Sequence, residues 1–317
     1  MISANIPYKL STLVAVPAFH VFMIPVQHAL ALRNGSITYI MPRFHETAFV
    51  EALQKYEITH TVVVPPILMA LSKCSTNQLK FLRRVYTGGS SATNSMQRQL
   101  YVKLCPDAHI VQVYGMTEVG WACTTWTENS QECTGSVGCP IPGTILRLVD
   151  RNGTEILDDN INGEIQIKTQ HLMKGYLNNP LETKDVLTSD GYIRSGDIGY
   201  FQDGKWYVVD RTKDIIKVRG WQVSPAEIEA SLLEHPGVLD AAVIGVSASD
   251  ESDDQAPVAF VVRRADVMLE ASEVKTFLAD RLSRYKQVKD VIFVTSIPRN
   301  HTGKILRRSL REALTTE

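Results

Sequence analysis

Charge of either sign in excess is missing from this sequence. Its 317 residues carry 33 Lys and Arg against 34 Asp and Glu, a formal net charge of −1. That balance supplies no general attraction to nucleic acid or to an anionic membrane. Cysteine is sparse and odd in number: Cys74, Cys105, Cys123, Cys133 and Cys139. There is no Cys-x-x-Cys pair, and the last three lack metal-ligand spacing. Both facts argue against a zinc site and a disulfide framework, and for small packing residues in a reducing compartment. No uninterrupted apolar run of membrane length occurs. Thr12 to Leu32 comes nearest, but Pro17, His20, Pro25, Gln27 and His28 break it, so a buried strand and helix are expected there. Met1 to Val16 has one basic residue, Lys9, and no A-x-A cleavage pattern. The C-terminus carries neither S-K-L nor K-D-E-L. A cytoplasmic location is expected, with a peroxisomal one as the alternative. Repeats and low-complexity segments are also lacking.

Two phosphate-binding signatures are missing as well. There is no G-x-x-x-x-G-K-[ST] loop and no G-x-G-x-x-G; Gly303-Lys304 is followed by Ile305. Any nucleotide must be held another way.

What is present has an order. Strand-like runs at Thr12–Pro17, His60–Val64, Arg84–Tyr86 and Ile110–Val113 alternate with helix-like runs at Phe49–Tyr56, Ile67–Lys73 and about Asn94–Leu104. This pitch predicts a parallel α/β sheet. The middle changes character. Ile145–Val149, Gly163–Lys168 and Lys205–Val209 read as short strands, with turn signals at Asn152-Gly153, Asn162-Gly163 and Asp203-Gly204. They predict an antiparallel sheet or small barrel. The tail has strand-like Ala241–Val246 and Val258–Arg263 and helix-like Pro225–Leu233 and Ser272–Leu282. That suffices for a separate α+β domain of about 100 residues, with its boundary near the charged stretch Asp210–Asp214.

Four segments carry groups with chemistry. Tyr114-Gly115-Met116-Thr117-Glu118 follows a strand-like run. An aromatic ring, a glycine, a hydroxyl and a carboxylate beyond a strand end suit a base, a phosphate and Mg²⁺, and equally suit a cap and turn. Ser195-Gly196-Asp197 places a carboxylate at an expected turn, where it fits ribose hydroxyls or a simple Asx turn. Asp210 to Gln222 crowds charge between two strand-like runs and ends in Arg219-Gly220-Trp221-Gln222, a glycine beside a ring. That end suits close backbone approach to a ligand, and a solvated hairpin accounts for the charge as well. Pro298 to Arg308 is an expected loop into a basic helix, turned at Gly303 so that Lys304 projects. A projecting lysine neutralises charge on a phosphoryl group, or simply solvates a tail.

Phe19-His20, Thr87-Gly88-Gly89-Ser90, Tyr114 to Glu118, Ser195-Gly196-Asp197, Asp210 to Gln222 and Thr302-Gly303-Lys304 occur in one series. The series resembles the adenylate-forming superfamily of acyl- and aryl-CoA ligases, in its 4-coumarate-CoA ligase-like branch, and covers nearly the whole chain. The resemblance implies the C-terminal part of a large adenylate-forming domain, a parallel sheet plus a small β-barrel-like region, at residues 1–209. A small mobile α+β domain would follow at 210–317. It implies an ATP-dependent acyl-CoA ligase that activates a fatty, aromatic or polyketide-type acid as an acyl-adenylate and transfers it to CoA. ATP or AMP, CoA and Mg²⁺ would be its cofactors and the acid its substrate.

Residue by residue, the resemblance implies that Tyr114 stacks near adenine with Gly115 beside it, and that Thr117 touches the AMP phosphate. Glu118 would coordinate Mg²⁺. Asp197 and Arg211 would hold the ribose, and Lys304 the transferring α-phosphate. His20 would line the acyl pocket and the approach of the thiol, and Gly88, Gly89 and Ser90 would form a wall of that pocket. Lys213 would be the hinge. Lys217 and Gln222 would meet the adenylate in the second half-reaction, and Arg219, Gly220 and Trp221 would face CoA. Family members also carry a region before the histidine motif, with a Ser/Thr/Gly-rich loop ending in Pro-Lys-Gly that cradles the β- and γ-phosphates. No such loop occurs in these 317 residues. Three expectations follow: an N-terminally truncated ligase, a chain completed by a protein partner, or an impaired remnant that binds acyl-adenylate, CoA or a partner. An exposed sheet edge and apolar face would accompany them. An amino-acid adenylation domain is a further alternative. Apolar Val119-Gly120-Trp121-Ala122-Cys123 speaks for a fatty or aromatic acid over an amino acid.

Overall fold

The computed structural model describes residues 8–89, 92, 94–125, 133–247, 254–265, 267–300 and 303–314. The chain divides into two compact units: Met1–Ser195 with Tyr200–Val208, and Gly196–Gly199 with Val209–Glu317.

The first unit opens with β1 (Ser11–Val14), a π-helix at Ile24–Ala29 running into α1 (Leu30–Asn34), and β2 (Ile37–Ile40). Then come α2 (Glu46–Lys55), β3 (His60–Val63), α3 (Pro65–Ser72), α4 (Thr76–Leu79), β4 (Arg84–Gly88), α5 (Asn94–Tyr101), β5 (His109–Met116), β6 (Gly120–Thr124) and β7 (Cys139–Pro140). Their strands form one sheet in the order β2-β1-β3-β4-β5-β6-β7. Pairs from β2 to β5 are parallel, as the alternating pattern predicts. β6 and β7 add antiparallel strands. The broken apolar stretch from Thr12 is thus a strand and two short helical pieces. Among the described residues no helix is long and apolar enough to cross a membrane. β2 is the outer strand, and its Ile40 is 60% exposed.

The central parallel strands are buried on both faces, hence the β-branched run Thr61-Val62-Val63 in β3. Pro65 and Pro66 start α3 where no intrahelical N–H is needed. Ser75 caps α4 in a reciprocal pair with Gln78.

A second sheet follows, built from β8 (Thr144–Val149), β9 (Glu155–Ile156), β10 (Gly163–Thr169), β11 (Ile193–Gln202) and β12 (Lys205–Arg211) in the order β12-β11-β10-β8-β9. α6 (Pro180–Val186) lies between β10 and β11 in sequence. Leu146, Leu148, Ile165, Ile167 and Ile193 alternate inward and share a core with Trp206, Tyr114 and Val119. β11 has no counterpart in the sequence reading, because Ser195-Gly196-Asp197 looks like a turn; Gly196 sits at φ +69° inside the strand.

The second unit contains the hairpin β13 (Ile216–Val218) and β14 (Trp221–Val223), then α7 (Pro225–Leu233), β15 (Val238–Ser247), β16 (Gln255–Arg263), α8 (Ala271–Ala279), β17 (Asp290–Phe293) and α9 (Arg307–Leu314). β15 and β16 are antiparallel and β17 lies parallel to β16. One face of this sheet packs Ile228, Leu232, Val274 and Leu278 from α7 and α8. The other packs Leu310 of α9 and Ile297. Ser224 caps α7, accepting from Glu227 N at 3.4 Å and donating to Asp210 Oδ2 at 2.6 Å.

Candidate active site

The two units each bring together their own set of candidate residues. In the first, Tyr114, Gly115 and Met116 belong to β5, where the sequence places a loop beyond the strand. The correction has a physical cause. Gly120, at φ +75°, turns the chain back on itself and β6 extends the ladder one hairpin further. Only Thr117, exposed, and Glu118, half-buried, stand at the turn. Tyr114 is 8% exposed and packs in the core. Gly115 faces the Gly120 carbonyl so closely that no side chain fits.

Glu118 is held twice. Its carbonyl accepts from Met173 N at 2.7 Å, and its Oε1 accepts from the Tyr176 hydroxyl at 2.8 Å. Burial and then the hydrogen bond to Glu118 push the Tyr176 phenol up to about 12, so it stays a donor. Tyr176 is itself anchored: its N–H donates to Thr183 Oγ1 at 2.9 Å, and Thr183 Oγ1 donates to Asn179 O at 2.8 Å. Sequence reasoning missed Tyr176. The signal available was Gly175-Tyr176 followed by Asn179-Pro180, a helix start that fixes a ring.

His20 lies in the turn after β1 and its N–H donates to Pro17 O at 3.0 Å. Its Nδ1 accepts from Phe22 N at 3.2 Å, which puts the proton of a neutral ring on Nε2. Burial lowers its pKa, so the neutral ring dominates near pH 7. Gly88 ends β4; a Cβ there would meet Val113 O at 2.7 Å and the Phe22 ring at 3.3 Å. Trp121 Nε1 donates to Phe22 O at 3.2 Å, and the two rings lie 5.8 Å apart. Gly89 has φ +85°. Ser90 lies outside the described residues.

In the second unit, Asp197 is 7% exposed and lies within β11 rather than at a turn. Arg211 Nε stands 3.5 Å from its Oδ1, and Thr212 N donates to Gly196 O at 2.8 Å. Lys304 belongs to the same charged group. Burial first, then Arg211 and Lys213, lower its pKa to about 8, against the raising influence of Asp214 and Asp197. The structure therefore brings Asp197, Arg211 and Lys304 together and leaves Lys213 exposed nearby.

Lys217 and Gln222 pair directly across β13 and β14. The two residues between, Arg219 at φ +47° and Gly220 at φ +83°, form a tight hairpin turn. Arg219 N donates to Asp254 Oδ1 at 3.0 Å. Trp221 is 57% exposed and stacks on Tyr285 with ring centroids 4.7 Å apart. Tyr285 is a second residue that sequence reasoning missed, since nothing in Ser283-Arg284-Tyr285-Lys286 marks it.

The chain is similar to known proteins along almost its whole length. A phenylacetyl-CoA ligase from Aspergillus niger is 40% identical over 316 residues, 97% of this chain and 58% of that protein. A 4-coumarate–CoA ligase from Oryza sativa subsp. japonica is 36% identical, over 95% of this chain and 55% of its own length. Among solved structures, ATP-bound MatB from Rhodopseudomonas palustris superposes with a TM-score of 0.86 at 27% identity, over 96% of this chain and 60% of that one. The O-succinylbenzoate coenzyme A synthetase of Bacillus subtilis, in complex with ATP and magnesium ion, gives 0.83 at 27% identity, over 97% and 62%. The chain thus spans less than two thirds of the length of these relatives. The AMP-binding enzyme pattern matches residues 3–177, and the AMP-binding enzyme C-terminal domain pattern matches residues 227–304. The chain belongs to the AMP-binding enzyme family.

Proposed function

We propose that this chain carries the acyl-activating and thioester-forming residues of an AMP-forming acid–CoA ligase. A carboxylate oxygen of the acid attacks the α-phosphorus of ATP, the bond to pyrophosphate breaks, and an acyl-adenylate results. The CoA sulfur then attacks the acyl carbon and AMP leaves. The observation that carries the reading is the Asp197–Arg211–Lys304 group. It offers a buried carboxylate for ribose hydroxyls and a half-buried ammonium for phosphoryl charge. Desolvation strengthens that ammonium's attraction to developing negative charge.

In this reading Asp197 and Arg211 hold the ribose, Lys304 serves adenylation, and Thr117 meets the phosphate. Glu118 fits Mg²⁺: it offers hard carboxylate oxygen, and the Tyr176 hydroxyl holds one of its two oxygens in place. Bound there, the ion would neutralise phosphate charge. His20 presents Nε2–H along the acyl and thiol route, as a hydrogen-bond donor. Lys213 serves as the hinge between regions 1–209 and 210–317. Lys217 and Gln222 serve the second half-reaction, and Arg219, Gly220 and Trp221 face CoA.

An apolar, ring-bearing acid is favoured. Phe22, Trp121 and the close-packed Gly88 line one apolar cluster, and a named relative is a phenylacetyl-CoA ligase. The test supplies the chain with ATP, Mg²⁺, CoA and a panel of aromatic, fatty and amino acids, with synthetic acyl-adenylates in parallel, and reads acyl-CoA by mass. Thioester from aromatic or fatty acids is the expected result. Thioester from acyl-adenylates alone confines the chain to the second half-reaction. No thioester from either source overturns the ligase reading.

A further inference from the structure

The loop that bears Lys304 is built like a fixed mount. The two flanks of Lys304 come back together: Leu306 N donates to Pro298 O at 2.9 Å, and Arg299 and Ile305 form an antiparallel bridge. Asn300 closes the tip. Its N–H donates to Lys304 O, its carbonyl accepts from Gly303 N, and its Oδ1 accepts from Lys304 N, each at 2.9 Å. Gly303 takes φ +83° to allow this.

These bonds shape the loop, and Ile305 packs on the apolar cluster of the sheet face. A charged side chain ties the loop to the sheet as well. Arg299 Nη1 donates to Gly303 O at 2.8 Å, immediately before the lysine, and Arg299 Nη2 donates to Asp240 Oδ1 at 2.8 Å. Asp240 sits at the irregularity between Val238 and Asp240 in β15, where its Oδ1 also accepts from Ala241 N at 2.9 Å. The far end of the loop is anchored separately. Arg307, first residue of α9, donates through Nη2 to Glu229 Oε1 at 2.8 Å, and that oxygen also accepts from Val243 N at 2.8 Å.

We propose that Arg299 is a positioning residue for Lys304: braced on Asp240, it fixes the Gly303 carbonyl and thereby the place from which the lysine side chain reaches. The planar fork makes two bonds at a set angle, which a lysine ammonium cannot reproduce. A four-carbon side chain gains useful aim only if its root is fixed, and misplacement of about 1 Å can cost on the order of a hundredfold in rate. Arg211, Lys213, Asp214 and Asp197 set the charge around Lys304. Arg299 acts on its position, through backbone.

This inference rests on Lys304 serving adenylation, and its test separates the two. Wild type, Arg299→Lys, Arg299→Gln, Asp240→Asn and Lys304→Ala are compared in adenylation and in thioester formation from synthetic acyl-adenylate. The Arg299 and Asp240 variants are expected to lose about ten- to a hundredfold in adenylation kcat. KM for ATP and for the acid, and the thioester step, stay within about twofold, and Arg299→Lys recovers only part of the loss. A second readout needs no turnover: amine labelling of Lys304 by a water-soluble anhydride across pH, read by peptide mass. In the full chain the midpoint is expected near 8. It moves up toward the ordinary lysine value in Arg299→Gln, as the loop opens to water. Equal loss in both half-reactions, or a labelling midpoint unmoved in Arg299→Gln, overturns the inference. If Lys304→Ala adenylates like wild type, the reading of Lys304 fails, whatever Arg299 does.

Discussion

The Glu118 turn of the first unit and the Lys304 loop of the second are each built to present one charged side chain, and they do so by opposite means. Glu118 stands on a β-hairpin whose register already fixes its backbone, and a single neutral phenol steadies its carboxylate. Lys304 stands on a connection between β17 and α9, where one isolated bridge, Arg299–Ile305, stands in place of a ladder. Two charged pairs, Arg299–Asp240 and Arg307–Glu229, add to its hold. Sheet register is a cheap positioning device, because the hydrogen bonds exist anyway. A loop needs side chains committed to holding it. The electrostatic settings differ too. The carboxylate meets an uncharged donor, whereas the ammonium is half-buried among Arg211, Lys213, Asp214 and Asp197 and loses part of its basicity there.

That contrast is broken most severely at Asp197. Asp197→Ala removes a buried carboxylate that faces Arg211 and, in our reading, accepts from the ribose. Charged hydrogen bonds are worth about 1.5–3 kcal/mol each. Two of them predict a rise in the ATP requirement of roughly a hundredfold or more, measured as KM for ATP in adenylation. A rise under threefold removes Asp197 from the nucleotide.

The pH dependence sharpens the same side. In our reading Lys304 works as an ammonium, and its pKa is lowered to about 8. Raising pH through that value strips the proton, so adenylation is expected to fall about tenfold per pH unit above it. Thioester formation from acyl-adenylate is expected to keep its rate over that range. A lysine at its ordinary value of 10.5 would hold adenylation level to near that pH instead.

Tyr176→Phe tests the first unit. It removes one hydrogen bond to Glu118, worth about 1 kcal/mol, and predicts a roughly fivefold higher Mg²⁺ requirement in adenylation. Titration of Mn²⁺ in the presence of ATP, followed by electron paramagnetic resonance, checks the same shift without turnover. Unchanged ion affinity assigns Tyr176 to packing alone. The smallest effect is expected at Trp221→Ala. The ring is 57% exposed and touches Tyr285 by stacking, so the second unit loses no more than about 1 kcal/mol by calorimetry. A larger loss makes the hairpin structural and not a face for CoA.

The pattern of what the sequence disclosed follows the same division. Parallel strands β1, β3 and β4 and helices α2, α3 and α7 are legible because burial on both faces, or on one helical stripe, writes a strong apolar period. β11 is not, because Arg194-Ser195-Gly196-Asp197 interrupts the apolar alternation between Ile193 and Ile198 with a cation, a hydroxyl, a glycine and a carboxylate. In our reading those residues belong to a site, and a strand that carries a site loses the regularity that announces a strand. β6 is hidden likewise: Val119 to Cys123 is apolar without alternation, and Gly120 forms the hairpin corner. Of the candidate residues, Asp197, Arg211 and Lys304 were visible as motifs and prove to be neighbours. Tyr176, Arg299 and Tyr285 act on other side chains or on backbone carbonyls, and spacing in sequence carries no trace of a contact across 58 residues, as between Glu118 and Tyr176.

In our reading the charged group of the second unit serves acid activation. Its most direct test runs wild type and Lys304→Ala side by side through ATP–pyrophosphate exchange with an aromatic acid, and through thioester formation from the matching synthetic acyl-adenylate. The predicted result is exchange in wild type that falls by about a hundredfold or more in the variant, with thioester formation unchanged within about threefold. Exchange that survives the substitution, or an equal fall in both reactions, contradicts it.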